Sequence, residues 1–257
     1  FVWSTAGYGL LVDADGGYSV VDEETNKLEF YYGDYTTQGR RYFKENVEYY
    51  ILMGEPEEIM ENFAHVTGAS PMLPEWSLGF SNYEWGIDQD ELYEMVDTYR
   101  AKNIPIDSYG IDYDWKRYGD DNYGELTWNT DNYPDAADTT LKQTMDAKGI
   151  NLIGITKPRI VTKLQDGTVT QQGRDAENGG FFYPGHAEYT DYFYPVTVRS
   201  IDFYGQDARN WWWEHSIDAF NKGIVGWWND ETDTVASGSA NYWFGNFETL
   251  HLSQAIY

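Results

Sequence analysis

The octapeptide Gly226-Trp227-Trp228-Asn229-Asp230-Glu231-Thr232-Asp233 sets three acidic side chains beside two tryptophans, directly after the apolar pair Ile224-Val225. That order reads as a buried strand giving way to an acidic loop. In an α/β barrel, such strand ends are where reacting groups sit. A carboxyl group against aromatic walls has a raised proton affinity unless hydrogen bonds hold it ionised. Asp230 is therefore the candidate nucleophile, with Trp228 beside it. A second carboxyl, Asp112, stands in Ile111-Asp112-Tyr113-Asp114-Trp115, again just past a strand-like run. Carboxylates on two strand ends can converge on one pocket and accept hydrogen bonds from sugar hydroxyls. Glycoside cleavage uses two carboxyl groups across the scissile bond, one as nucleophile or base and one as acid. Spacing allows Asp112 as the acid, although nothing local raises its proton affinity. The plainer reading of both residues is a solvated loop or a helix cap.

Other chemistries find little support. His65, His186, His215 and His251 are scattered and form no ligand-spaced pair, so no metal site is expected. Cysteine is absent, and there is neither a Gly-x-Ser-x-Gly nor a phosphate-binding glycine loop. The chain of 257 residues carries 43 acidic against 17 basic side chains, a net charge of −26. Nucleic acid and anionic membrane surfaces would be repelled. No apolar run is long enough to span a bilayer. Aromatic residues make up 18% of the chain, with 23 Tyr and 11 Trp. Their flat apolar faces and polar edges match sugar rings, so aromatics plus acids lean towards saccharide handling. The N-terminus, Phe1-Val2-Trp3-Ser4, has no signal-peptide character and reads as a cut into a longer protein. Localisation stays open.

The elements that must position these acids fall into two styles. Up to about residue 54, runs such as Tyr8–Val12, Tyr18–Val21, Leu28–Tyr32 and Val47–Leu52 alternate with Gly and Asp clusters, as in a sandwich. The turn Asp13-Ala14-Asp15-Gly16-Gly17 is read as a hairpin rather than a calcium loop. A helix over Glu57–Thr67 and the connector Ser70-Pro71-Met72-Leu73-Pro74 follow, giving domains 1–54, 55–75 and 76–257. Strands are then expected at Leu78–Phe80, Ile106–Ile111, Leu152–Ile155 and Ile224–Trp228. Helices are expected at Asp88–Lys102, Asp138–Lys148 and Gln206–Asn221, with a last one from Phe247. The first of these opens on a capping box, Asp88 with Glu91. Residues 157–206 form a long excursion. Strand–helix alternation implies a parallel sheet with right-handed crossovers: α/β, half of an eight-unit barrel or all of a small open sheet.

With these residues in view, the chain resembles glycoside hydrolase family 31, the retaining α-glycosidases. Tyr8-Gly9-Leu10 and Tyr49–Gly54 look like the end of that family's N-terminal β-sandwich, and Leu73–Gly79 like the lead-in to its barrel. Ile104–Asp107 through Asp112–Trp115 resembles the strand whose Asp binds the −1 sugar, which maps to Asp112. Ile201-Asp202-Phe203 with Trp211-Trp212 resembles its Asp-Phe segment before a paired-Trp helix. Trp228-Asn229-Asp230 resembles the nucleophile motif, usually Trp-x-Asp-Met-Asn-Glu. The resemblance implies the first half of a (β/α)8 TIM barrel, truncated at the C-terminus. It implies a covalent glycosyl-enzyme on Asp230, and Asp112, Trp115, Lys157 and Trp228 at the substrate. No cofactor is implied, and the partner would be an oligosaccharide or α-glycoside. Two departures stand out: Glu231-Thr232-Asp233 replaces Met-Asn-Glu, and Lys157 before Pro158 replaces an Asp. The first reading is a retaining, exo-acting hydrolase of the α-glucosidase kind; these departures make an α-glucosyltransferase or α-N-acetylgalactosaminidase of the same family the alternative. The acid/base residue is expected beyond Tyr257. A carbohydrate-binding protein without catalysis is the competing class.

Overall fold

The computed structural model describes residues 1–13, 18–22, 25, 27–31, 36–37, 40–41, 48–118, 124–183, 187–191, 194–231 and 255. The expected turn at 13–17 and helix from Phe247 lie almost wholly outside them, as do His186, His251, Thr232 and Asp233. The chain divides into two compact units, Phe1–Leu73 and Pro74–Tyr257.

In the first unit, β1 (Val2–Ser4) and β2 (Tyr8–Asp13) pair antiparallel. Strands β3 (Tyr18–Asp22) and β4 (Lys27–Tyr31) pair with each other, as do β5 (Thr36–Thr37) and β6 (Arg40–Arg41). β7 (Glu48–Met53) pairs antiparallel with β2. Helix α1 (Pro56–Thr67) opens with Pro at its first turn, and the Glu58 carboxylate accepts the Glu55 N–H at 2.9 Å. Its Ile59 is fully buried, whereas the neighbouring Met60 is exposed. Phe1 stacks on Phe63 at 4.3 Å.

The second unit is built on four strands: β8 (Ser81–Glu84), β9 (Ser108–Ile111), β12 (Asn151–Thr156) and β16 (Ile224–Asn229). All three pairings are parallel, and the spatial order follows the chain order. A sheet whose neighbours are successive in sequence winds one way, as a barrel does; a doubly wound sheet reverses at its centre. Helices α2 (Gln89–Ala101) and α3 (Thr140–Lys148) return the chain to the next strand. Asp88 caps α2 and accepts the Glu91 N–H at 3.0 Å, while Glu91 reaches back to the Asp88 N–H at 3.1 Å. Gly149 ends α3 in the left-handed conformation. Leu92, Val96, Leu141 and Met145 bury against Tyr109, Ile111 and Leu152 of the sheet.

The expected first barrel strand needs correction. Leu78-Gly79-Phe80 is not a strand: Glu75–Leu78 is a 3-10 turn, closed by Ser77 Oγ donating to the Pro74 carbonyl at 2.7 Å. Leu78 and Phe80 are exposed, and the strand begins one residue later with Ser-Asn-Tyr-Glu. After Asp112, Tyr113–Trp115 makes a 3-10 turn. It runs into a hairpin of β10 (Lys116–Arg117) and β11 (Glu125–Trp128). The excursion has its own architecture: β13 (Arg159–Lys163), α4 (Gln171–Gly179), β14 (Tyr189–Thr190) and β15 (Thr197–Ser200), with the strands antiparallel in the order β13-β15-β14. Its core joins Ile160, Phe182, Ile201 and Phe203 to Trp211 and Trp212 of α5 (Gln206–Asn221). Among the described residues, no helix is long and apolar enough to cross a membrane.

Candidate active site

Parallel register sets the site. Tyr83 pairs Gly110, Gly110 pairs Ile153, and Ile153 pairs Gly226. Alternate residues of a strand share a face, so the next row on that face holds Asp112, Ile155 and Trp228. The row beyond holds Lys157 and Asp230, which meet with Nζ 3.1 Å from Oδ2. The ladder runs past the named strands on the way: the Asp112 N–H donates to the Glu84 carbonyl at 3.1 Å, and the Asp230 N–H to that of Thr156 at 2.9 Å. Asp112, Lys157 and Asp230 are thus brought to adjacent strand ends by register alone.

Gly110 has a specific reason. A Cβ there would lie 2.0 Å from Tyr83 Cδ1, so the tyrosine ring lies across the bare backbone. From that seat it meets Trp228 edge to face, with centroids 5.6 Å apart. Both rings remain partly exposed, Tyr83 at 48% and Trp228 at 37%. They form an aromatic platform within the row of acids. Trp228 is marked in the sequence by its place after a strand, whereas Tyr83 carries no such mark until register sets it opposite Gly110.

Lys157 is completely buried, and its ammonium is divided between two carboxylates: Asp230, and Glu231 Oε1 at 2.6 Å. The other Glu231 oxygen lies 2.5 Å from Arg159 Nη1. Arg159 in turn donates from Nε and Nη2 to Asp191 Oδ2, both at 2.8 Å. Charges alternate along this ladder from Asp230 to Asp191. Burial pushes the Glu231 carboxyl up, but its hydrogen bonds to Arg159 and Lys157 outweigh that and hold it below the usual carboxylate range. Asp230 and Glu231 each keep about a third of their side-chain surface, 32% and 31%. Asp112 accepts the Tyr113 N–H at 2.8 Å. Its carboxyl is raised, chiefly by burial, against the pull of that bond and of Lys157 and Lys116. That shift has no local signal in the sequence. Burial, with repulsion from Lys157 and Arg159, lowers the Lys116 ammonium to about 7. Tyr113, under Lys157 at 5.4 Å, is raised by burial and by the surrounding carboxylates.

Two expected substrate contacts are buried. Trp115 is 0% exposed; its Nε1–H donates to the Ile155 carbonyl at 3.1 Å, and its ring packs between Trp128 and Trp227. It is a core residue, because the 3-10 turn after Asp112 folds it back under the sheet. Lys157 offers no surface to a ligand either, and meets Asp230 and Glu231 instead. Arg159 and Asp191 were not singled out from sequence, since their partners are distant along the chain. His65 lies exposed beside Glu61, and His215 binds the Trp211 carbonyl through Nδ1 at 2.9 Å. Among the described residues, no cluster of His, Asp and Glu has the make-up of a metal site.

Comparison with known proteins agrees with this architecture. A 1,6-alpha-glucosyltransferase of Sporosarcina globispora is 66% identical over 256 residues, spanning all of this chain. Alpha-glucosidase 2 of Bacillus thermoamyloliquefaciens is 27% identical over 70% of it. The chain spans about a fifth of the length of these relatives, 20% and 22%. A dextranase of Flavobacterium johnsoniae, solved with isomaltotriose, superposes over 98% of this chain and 31% of its own with a TM-score of 0.73 at 18% identity. The profile for the glycosyl hydrolases family 31 TIM-barrel domain matches residues 70–251. This chain belongs to glycosyl hydrolase family 31.

Proposed function

We propose that Asp230 is the nucleophile of a retaining α-glycoside-processing enzyme, and that the enzyme passes α-glucosyl units to a sugar acceptor. The observation that carries this reading is the row of strand ends: a partly exposed Asp230 beside the buried Lys157, with Asp112 and the Tyr83–Trp228 platform on the same face. The Asp230 carboxylate attacks the anomeric carbon while the leaving oxygen takes a proton from an acid outside the described residues. Water or an acceptor hydroxyl then displaces Asp230, giving its proton to the same group, so configuration is retained. Asp112 accepts hydrogen bonds from hydroxyls of the −1 sugar. Transfer is preferred to hydrolysis because of the 66% identical relative, a 1,6-alpha-glucosyltransferase.

The test is trapping of the full-length protein with a 5-fluoro-α-glucosyl fluoride, read by peptide mass spectrometry. Label on Asp230 is expected, and label on another carboxylate overturns the assignment. Asp230→Ala should lower turnover at least a thousandfold, about 4 kcal/mol of barrel-site catalysis. Incubation with a short α-1,4-glucan should give a new α-1,6-linked product; glucose alone would return the reading to hydrolysis.

A further inference from the structure

Two of the positions that depart from the family motif, Lys157 and Glu231, touch each other at 2.6 Å although 74 residues separate them. They are one feature. We propose that Glu231 is a positioning residue: it competes with Asp230 for the Lys157 ammonium, and Arg159 and Asp191 hold it in place to do so. The inference rests on Asp230 being the nucleophile.

Geometry supports each part. Lys157 has no surface, and the carboxylates of Glu231 and Asp230 lie 2.6 and 3.1 Å from its ammonium, the nearer being Glu231. Glu231 itself has φ 52°, the left-handed region that a glutamate rarely adopts. Backbone strain of this kind persists only where the surroundings over-determine it. Here the two cations do so, one on each carboxylate oxygen. Arg159 lies on β13 and is fixed by Asp191, whose side chain is fully buried, so the clamp is anchored in the excursion rather than in the barrel strands.

The chemistry explains why the sharing matters. Asp230 starts as an anion, becomes a neutral ester when its oxygen bonds the anomeric carbon, and leaves as an anion when the acceptor oxygen displaces it. A lone ammonium beside it would favour the anion, slowing the first step and assisting the second. Glu231 draws part of that charge away, so its presence moves the balance towards ester formation. Among the described residues, the other charged and titratable groups facing this cluster are Asp112 and Tyr113 after β9, Lys116 of β10, Tyr189 of β14 and Asp191 after it.

The experiment is the pH profile of kcat/KM for α-glucosyl fluoride with the full-length protein. Glu231→Gln keeps the shape and removes the competing charge, so the acid limb should move down by about one pH unit. Lys157→Met leaves two carboxylates together and should move it up. Arg159→Met should also move it up, by less, with Arg159→Lys restoring the original position. A merely structural role would lower the melting temperature and leave the limb in place. An unmoved or upward-shifted limb in Glu231→Gln therefore overturns the proposal. If Lys157→Met does not fold, the Glu231 and Arg159 variants still decide. Fluorosugar label on Asp230 with an unmoved limb refutes the clamp alone. Label elsewhere refutes the nucleophile assignment, and the clamp falls with it.

Discussion

Gly110→Ala is a small change with a calculable consequence. The added methyl would lie 2.0, 2.4 and 2.7 Å from Cδ1, Cε1 and Cγ of Tyr83. Ordinary carbon contacts begin near 3.5 Å, so ring or strands must part by about 1.5 Å. The contact falls on the root of the ring, which cannot yield by bending its tip. Tyr83 can swing outwards, being 48% exposed, but that breaks the 5.6 Å edge-to-face contact with Trp228. Such a pair contributes about 1 kcal/mol, and overpacking between strands typically costs about 1–3 kcal/mol. We expect a loss of roughly 2 kcal/mol, read as a fall of about 4–8 °C in the unfolding transition of the barrel. Sugar affinity should also weaken, since the platform is displaced. The decisive arm is the double variant. Tyr83→Ala removes the obstacle, so Gly110→Ala on that background should cost under about 0.5 kcal/mol, a strongly non-additive cycle. If the two losses simply add, the ring is not what Gly110 accommodates, and the reasoning fails.

Trp115→Phe keeps an aromatic in the core but deletes the hydrogen bond to Ile155, so stability should fall by about 1–3 kcal/mol with KM unchanged; a rise in KM at unchanged stability would return Trp115 to the substrate. Lys116 titrates near 7 when folded against 10.5 in its ordinary state, so the unfolded chain binds the extra proton between these values and stability from this group rises with pH across that window. Lys116→Met should accordingly raise the melting temperature at pH 6 and progressively less towards pH 10, the gain at pH 6 being on the order of 2 kcal/mol. An equal gain at both ends would mean the lysine is not charged and buried in the native protein. Thr156→Val removes the hydroxyl that donates to Asn229 Oδ1 at 2.9 Å, next to Asp230; turnover should drop several-fold at nearly constant stability, by steady-state assay and thermal melt.

The order of the barrel strands and the helices between them was readable because local signals agreed. Asp88 and Glu91 announced the start of α2, Gly149 the end of α3, and Gln206–Asn221 was bounded to the residue. The first barrel strand was misplaced because its apolar neighbours, Leu78 and Phe80, are exposed while the strand itself is polar. Hydrophobic pattern reports burial, and here burial and strand part company. The strands of the excursion are short, and β14 spans only two residues, below what periodicity can register. At the site, the acids were found from their place after strands. What Lys157 does was not legible, for a charge type says nothing of its partner until register sets two strand ends side by side.

The clamp also bears on modularity. The excursion leaves the barrel after Lys157 and returns through Ile201-Asp202-Phe203, which makes it look like a cassette that could be exchanged between relatives. Arg159 and Asp191 lie inside that cassette, whereas Glu231 lies outside it. A chimera taking the cassette alone would leave Glu231 facing a foreign surface, with its left-handed backbone unsupported. A graft across this junction should therefore carry Lys157, Arg159, Asp191 and Glu231 as a linked set, or it arrives with a loose loop beside its own candidate nucleophile.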